Sequence, residues 1–587
     1  MKAMPLRNIT SSVLLPPAAC DDILYYPEKG QQGYEDLIKT RLLPTSTISI
    51  WDTLPQLKLT RFMTWIKKKT IKVGDKVIKL REDRQLYSQI INIAQKRPEI
   101  ITGMQHLVSE YEMSIVPRAN FNPDGSMLLC LDKASLMKSI QAQPPTIEDI
   151  SSPEDRTQVM IVDGMVDVNC LKKKNDTKKM LQIKQQFINR IQEKERQGNY
   201  SEIRVLFDEY CKEDSLKDQM REKRAGNDSR NGEGYEFHDE MCVKQTPLTE
   251  LTKADKSKKQ LTQYLATGLL EAYNEKTVKV IVTYHGKICI NNPHSLSTNF
   301  TTHGHEEADT QIPLHVIHSL RDSTHKHFDI YSIDTDVLVL LMDLVSRDNL
   351  GPSTNVILHA GKSKTPKPID VVKRVDSIGK QKSQGLIGML NYTGNDFGHK
   401  SVGISKERWC NKYFSLPPND PIVKAFGSLG TLSTEQCSLV NGELHKDIRA
   451  LEEFTCMPYS KDGPLQIPAL RWKLFNTENK EAENLPPCRA TLVPHIQRCN
   501  YLSLLHKSYH QAHPQLPPLI DNGWTKDKDS DVIRPKHCLI PPASKSILEL
   551  VKCGCKTGDC STNRCSCYKI KLPCTSLCSC SDICSNT

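Results

Sequence analysis

The sequence predicts an α/β protein with a mostly parallel sheet, flanked by mainly helical regions and by a small cysteine-rich zinc domain. Short apolar runs alternate with helical patterns between residues 155 and 410, and several runs end in a carboxylate. Nine cysteines also crowd into the last 35 residues. Alternating strands and helices indicate a parallel sheet, because parallel strands need a crossover connection.

Length and composition restrict the class of protein. The chain has 587 residues, of which 38% are hydrophobic and 25% are charged, and its net charge is +10. These are ordinary values for a globular protein of several domains. We find no apolar run long enough to span a membrane and no secretory pattern at the N-terminus, so we expect an intracellular protein.

Composition divides the chain into four predicted segments. Residues 1–150 carry no pattern that assigns a role, and residues 151–430 carry the α/β pattern. Residues 431–545 indicate helices joined by proline-rich loops, and residues 546–587 hold the cysteines.

Four buried strands and one connecting helix are predicted in the α/β segment. Continuous short apolar runs are typical of parallel strands that are covered on both faces. Met180, Ile183, Phe187 and Ile191 recur at the spacing of one helix face, which places a helix between the first two strands. The predicted strands span residues 159–162, 203–207, 278–284 and 328–333.

Carboxylates follow three of these strands. Asp163 ends the first strand, Asp208 follows the second, and the pair Asp334 and Asp336 follows the fourth. The carboxyl ends of parallel strands meet at one edge of a sheet, so these side chains should converge in one crevice.

Three further acids complete the set. Glu307 and Asp309 open the helix before the fourth strand, and Asp396 lies in the turn YTGNDFG. Crowded carboxylates repel unless a cation neutralises them. Mg²⁺ and Mn²⁺ prefer such oxygen ligands. The alternative is a set of surface acids that cap strands and helices.

The ordered motifs VDG, FD, EAD, DTD and TGND resemble the PIN-like nuclease core of the flap endonuclease and XPG family. Asp163 and Asp208 are 45 residues apart. Glu307 and Asp334 are separated by 27 residues, and so are Asp309 and Asp336. Asp396 follows Asp336 by 60 residues. The equal offset of 27 means that the two pairs match as units.

The resemblance implies a nuclease in which seven acids share two Mg²⁺ or Mn²⁺ ions. Lys217 and Arg221 would neutralise charge on the phosphoryl oxygens. Lys400 and Gly403 lie in HKSVGISKERWCNKYF, which resembles the family's duplex-gripping helix-turn-helix. The implied ligands are Asp163, Asp208, Glu307, Asp309, Asp334, Asp336 and Asp396.

One departure keeps other functions open. About 150 residues precede Asp163, whereas the family's core begins at the chain's N-terminus. Recognition of a 5′ end is therefore not implied, and RNA or an unstructured single strand stays a candidate substrate. The alternatives to a nuclease are a nuclease-like fold that only binds DNA or chromatin, and a protein-interaction scaffold.

The cysteine spacing C-x-C-x4-C-x4-C-x-C-x6-C-x3-C-x-C-x3-C indicates metal ligation. An odd number of closely spaced thiols does not suit a disulfide framework. Three tetrahedral zinc ions need about twelve ligand positions, which nine thiolates supply when three sulfurs bridge. The ligands are Cys553, Cys555, Cys560, Cys565, Cys567, Cys574, Cys578, Cys580 and Cys584.

The tail CGCKTGDCSTNRCSCYKIKLPCTSLCSCSDIC resembles the tesmin-type CXC domain. The resemblance implies DNA or chromatin binding in the nucleus, through Lys556, Arg564 and Lys569. In that family a tyrosine near the second C-x-C reads the minor groove, whereas here Tyr568 directly follows Cys567. The alternative is a zinc knot that only caps the fold or binds protein.

The whole arrangement is similar to uncharacterised animal proteins often associated with mobile elements, which implies a transposon-derived origin.

Cys488, His495 and Cys499 are potential ligands of another metal. Without paired C-x-x-C spacing, we expect these three residues to be buried structural side chains.

Overall fold

The structure is a computed structural model of the full chain. It describes residues 24–43, 48–49, 70–73, 76–79, 104–122, 124–130, 132–143, 158–173, 177–210, 235–243, 251–252, 254–291, 305–322, 325–347, 350, 353–361, 367–440, 443–476, 484–526, 533–543, 553–555, 560–569, 571–572, 574, 578, 580, 584 and 586.

Contacts divide the chain into two compact units. The first comprises residues 1–126, 462–492 and 537–587, and the second comprises residues 127–461 and 493–536. The four segments suggested by composition remain a prediction.

The second unit is built on one central sheet. Strands β3 to β9 form a sheet in the order β6-β5-β4-β3-β7-β8-β9. The described strands are β1 Thr70–Val73, β2 Lys76–Lys79, β3 Gln158–Asp163, β4 Tyr200–Leu206, β5 Lys279–Tyr284, β6 Lys287–Ile290, β7 His327–Tyr331, β8 Asn355–Ala360, β9 Lys367–Asp370, β10 Leu439–Val440, β11 Glu443–Leu444, β12 Trp524–Lys526 and β13 Ile533–Pro535.

The sheet is mostly parallel, as predicted. Strands β5, β4, β3, β7 and β8 pair in parallel, and β6 and β9 add one antiparallel strand at each edge. The chain moves outward from β3 to β5 and then returns to β7, on the other side of β3. The strand order therefore reverses between β3 and β7, the place where open α/β sheets form their crevices.

Helices cover both faces of this sheet. The described helices of both units are α1 Tyr26–Leu37, which continues as a π-helix over Ile38–Leu42, α2 Met104–Glu110, α3 Ala134–Gln141, α4 Gly164–Cys170, α5 Met180–Glu195, α6 Asp255–Ala272, α7 Ala308–Asp322, α8 Thr335–Ser346, α9 Val371–Ile378, α10 Lys380–Thr393, α11 Lys406–Ser415, α12 Pro421–Ser428, α13 Lys446–Cys456, α14 Ile467–Asn476, α15 Arg489–Lys507, followed by a 3₁₀ turn over Ser508–His510, and α16 Ser566–Lys569.

Alternating strand residues point to two different helical layers. Met160 of β3 joins an apolar cluster with Phe187 of α5 and Leu265 of α6. On the opposite face α7 packs against β3 and β4, where Arg204 Nη1 donates to His315 Nδ1 at 3.2 Å. Helix α5 confirms the predicted helix, and its Met180, Ile183, Phe187 and Ile191 are buried.

Helix α8 is buried on almost every side, because its sequence TDVLVLLMDLVS is apolar around most of its circumference. It follows β7 directly, so it holds the residues after that strand against the core. Among the described residues, no helix is both long and apolar enough to cross a membrane.

Candidate metal centres

Asp163 joins strand β3 to helix α4. It is the last residue of the strand and the N-cap of the helix, where its Oδ1 accepts hydrogen bonds from the amides of Met165 at 3.0 Å and Val166 at 3.3 Å. Its Oδ2 accepts from Ser332 Oγ at 3.3 Å. A carboxylate at a helix N-terminus is favoured by the helix dipole, so the strand-to-helix joint holds this side chain in place.

Asp334, Asp336 and Asp309 meet at the carboxyl edge of the sheet. Asp334 is the N-cap of α8 and accepts from the amide of Asp336 at 3.2 Å, while Asp309 lies in the first turn of α7. One carboxylate oxygen from each of the three residues lies within 4.8 Å of the others. This group can hold a divalent metal ion.

Asp208 and Glu307 meet where α7 begins. Asp208 Oδ1 accepts from the amide of Ala308 at 2.9 Å, and the Glu209 amide donates to the Glu306 carbonyl at 2.8 Å. The segment after β4 is thus tied to the start of α7, which places Glu307 and Asp309 beside the residues that follow β4.

Electrostatic coupling joins the predicted acids into one group, which we call the acid cluster. Burial, together with the charges of Asp208 and Asp334, raises the pKa of Asp163 to about 7, although its amide hydrogen bonds oppose the rise. The acid cluster consists of Asp163, Asp208, Glu307, Asp309, Asp334, Asp336 and Asp396.

Asp336 is a buried member of the acid cluster whose hydrogen bonds are incomplete. Its side chain is only 5% exposed, and its Oδ1 has no hydrogen-bond partner among the described residues. Burial raises its pKa to about 7, against the attraction of Lys133 and with the repulsion of Asp334, Asp396 and Glu307. A buried charge without a full set of partners is costly, so this carboxylate favours a bound cation.

Lys133 is a member of the site that sequence reasoning missed. It precedes α3, and its Nζ lies 2.6 Å from Asp396 Oδ2 and 3.6 Å from Asp334 Oδ1. Burial opposes its charge, but the carboxylates outweigh this effect and raise the pKa of Lys133 well above its usual value. Only the fold brings Lys133 to the acids, and no motif around it signals this.

Asp396 lies in a tight turn after α10, in which the Asn395 amide donates to the Gly398 carbonyl at 3.0 Å. The two predicted nucleic-acid contacts beyond it, Lys400 and Gly403, precede α11, and Gly403 is exposed with φ of 71°. The predicted cations Lys217 and Arg221 lie outside the described residues.

A cavity of about 370 Å³, lined by both cations and carboxylates, adjoins the acid cluster. Val166 and Ser332, which both donate to Asp163, line this cavity together with Arg190, Lys194 and Arg196. Asp167 already pairs with the first two of these cations. A second cavity, of about 780 Å³, has no carboxylate and no member of the acid cluster among the described residues of its lining.

The nine tail cysteines pack together without a disulfide among the described residues, and they form a second centre, the thiol cluster. Cys553 Sγ lies 3.8 Å from Cys560 Sγ and 3.9 Å from Cys574 Sγ. Sulfurs on one tetrahedral zinc ion lie about 3.8 Å apart, given a Zn–S bond of about 2.3 Å. Eight of the nine thiols, all but Cys584, form three groups of four that share Cys553, so this cluster can hold zinc ions.

Exposed cationic and aromatic side chains lie beside the thiol cluster. Arg564, Tyr568 and Lys569 are exposed on or next to α16, whereas Cys565 and Cys567 between them are buried. The fourth residue predicted to contact DNA in the tail, Lys556, lies outside the described residues. Comparison of the sequence with protein-family models and with curated proteins finds no match.

Proposed function

We propose that this protein is a divalent-metal-dependent phosphodiesterase that cuts nucleic acid and is held on DNA by its zinc-loaded tail. The observation that carries the proposal is the convergence of the acid cluster at the point where the strand order reverses, with Asp336 buried and its Oδ1 without a hydrogen-bond partner in the described part of the chain. The resemblance to the PIN-like nuclease core supports the same activity.

Asp309, Asp334 and Asp336 would hold one ion, and Asp163 with Asp208 would hold a second. Two such ions activate a water molecule and stabilise the leaving oxygen of a phosphodiester. Lys133 lies within reach of the same carboxylates and would offset the charge of a bound phosphate. The lining of the adjoining cavity holds the cations Arg190, Lys194 and Arg196 against the acids Asp167 and Glu193, and the one cation in excess supports a polyanionic substrate.

The tail would bind three zinc ions with bridging thiolates and place Arg564, Tyr568 and Lys569 against DNA. Their exposure beside the buried thiols supports this role, since cationic side chains contact phosphates and an aromatic ring can contact a base or sugar. A nuclear protein of transposon origin agrees with this arrangement.

A specific observation favours a second function, DNA binding without cutting. Lys133 already neutralises part of the acid cluster without any metal ion. A core whose carboxylates are balanced in this way can keep its fold and serve only as a scaffold for the DNA-binding tail.

Cleavage assays distinguish the two functions. The full chain is incubated with Mn²⁺ and labelled flap, bubble and single-stranded DNA or RNA, next to the double variant Asp334→Ala, Asp336→Ala. We expect cleavage by wild type and by the control Asp376→Asn, an exposed acid on α9, and none by the double variant. Equal cleavage by the double variant would exclude this site. Zinc-dependent DNA binding without cleavage in Mg²⁺ or Mn²⁺ would establish the second function.

A further inference from the structure

A buried group of two imidazoles and one thiol lies in the second unit and is separate from the acid cluster. His399, His495 and Cys499 are each at most 3% exposed, and one ligand atom from each lies within 4.8 Å of the others. His495 and Cys499 are four residues apart on α15 and so share one face of that helix. His399 comes from the turn after α10. We call these three residues the imidazole–thiol cluster.

The spacing of these atoms suits a tetrahedral ion. Cys499 Sγ lies 3.7 Å from His495 Nε2. A zinc ion about 2.3 Å from sulfur and about 2.0 Å from nitrogen holds two such ligands about 3.5 Å apart. Imidazole and thiolate select zinc and similar transition metals, whereas Mg²⁺ takes oxygen ligands, so this cluster and the acid cluster suit different ions.

Hydrogen bonds within the protein leave this cluster incompletely satisfied. Among the residues that the structure describes, neither ring nitrogen of His399 has a hydrogen-bond partner of good geometry, although the Asn391 carbonyl lies close to the ring. His495 Nε2 donates to the Tyr392 carbonyl at 3.2 Å, a hydrogen bond that an ion bound through Nε2 would replace, and Cys499 Sγ donates to the Asn391 carbonyl at 3.5 Å. A buried polar group without a well-formed hydrogen bond destabilises a protein, and a bound ion would remove this cost at His399.

The backbone at His399 is also held in an uncommon conformation. Its φ is 68°, in the left-handed region that is unfavourable for a residue with a Cβ. The strained residue directly follows the turn of Asn395 to Gly398, which carries Asp396. Whatever holds the His399 ring in place also holds this turn.

We propose that His399, His495 and Cys499 bind a structural transition-metal ion, zinc or a metal of the same preference, that fixes the turn carrying Asp396. Three protein ligands and one water molecule complete a tetrahedral zinc site. The proposal does not depend on nuclease activity, because its test measures bound metal alone.

Zinc content of the full chain tests this site. Wild type, Cys499→Ser and His399→Gln are loaded with zinc, desalted and analysed by mass spectrometry of the metal. Cys437→Ser is the matched control, a cysteine of the same unit that is 2% exposed and lies outside the cluster. We expect each ligand variant to hold one zinc ion fewer than wild type and the control to hold the same number. Equal zinc content in all four proteins would overturn the proposal.

A measurement on wild type alone covers the case in which a ligand variant does not fold, as judged by circular dichroism. Crystals of the zinc-loaded full chain are measured at the zinc absorption edge. We expect an anomalous peak between His399, His495 and Cys499, in addition to peaks at the thiol cluster. Peaks at the thiol cluster alone would overturn the proposal.

Discussion

The Lys133 ammonium lies 2.6 Å from the Asp396 carboxylate. The same ammonium is 3.6 Å from Asp334, so one cation connects two acids that are 62 positions apart in the chain. A lysine in this place competes with any metal ion for the same carboxylates, and it also stabilises them when no ion is bound.

Substituting Lys133→Met should strengthen metal binding and weaken catalysis. Removing the competing cation should tighten Mn²⁺ binding by about tenfold, which corresponds to about 1.4 kcal/mol. The turnover number for cleavage should fall, because the charge near the phosphate is lost. Calorimetry and cleavage kinetics measure the two effects. Lys138→Met, an exposed lysine on α3, should change neither, and an unchanged Mn²⁺ affinity in Lys133→Met would contradict the competition.

Substituting Asp336→Asn should stabilise the metal-free protein and abolish tight Mn²⁺ binding. The amide keeps the shape of the side chain but removes a buried charge whose Oδ1 has no partner among the described residues. The melting temperature in EDTA should rise by a few degrees. Asp376→Asn serves again as the exposed control. A lower melting temperature in EDTA would show that the charge is satisfied within the protein.

Substituting Cys553→Ser should release more zinc than substituting a thiol that belongs to only one group of four. Cys553 belongs to all three groups of four thiols, whereas Cys555 belongs to one. We expect Cys553→Ser to lose more than one zinc ion per chain and Cys555→Ser to lose at most one, as measured by metal analysis. Cys242→Ser, at an exposed cysteine outside the tail, should lose none. Equal losses in the two tail variants would argue against sharing.

Substituting Gly164→Ala should disturb both the core and the acid cluster. A Cβ at this position would lie 2.5 Å from a ring carbon of the buried Phe207, directly after Asp163. Overpacking of this kind costs about 1–3 kcal/mol, which denaturant unfolding measures. Mn²⁺ affinity should fall as Asp163 is displaced. Gly427→Ala, where the new Cβ meets nothing within 4 Å, should cost nothing.

The contribution of Lys507 to stability should depend on pH. Burial lowers the pKa of Lys507 to about 8, while Asp343 opposes the shift and Arg347 reinforces it. Between about pH 8 and 10 the unfolded chain therefore binds one more proton at this lysine than the folded chain does. The stability of wild type relative to Lys507→Met should therefore rise over this window, by up to about 1.4 kcal/mol per pH unit. Urea unfolding at several pH values measures the difference, and a difference that stays flat would contradict the lowered pKa.

Local patterns were sufficient to predict the sheet and the convergence of the acids. Strands such as β3 are buried on both faces, so they appear as apolar runs, and parallel pairing brings the residue after each run to the same edge. Strand β8, with the sequence NVILHA, carries a similar apolar run, although it is not among the four predicted strands.

Contacts across long sequence separations could not be predicted in this way. Lys133 reaches the acid cluster only because α3 is placed beside it, and nothing in the adjacent sequence specifies that. Likewise the sequence suggests Cys488 as a partner of His495 and Cys499, but the residue that lies beside them is His399. Cys488 and Thr491, which contact each other, both belong to the first unit. Side chains paired by tertiary structure leave no periodic signal.

The order in which the acids occur along the chain delays completion of the site during synthesis. Asp208 leaves the ribosome 188 residues before Asp396, an interval of roughly 10–40 s at about 5–20 residues per second. Strand β7, which lies between β3 and β8, is also made after β5. A nascent chain therefore exposes only part of the acid cluster until most of the sheet has been made, so an incomplete product would lack the full set of carboxylates.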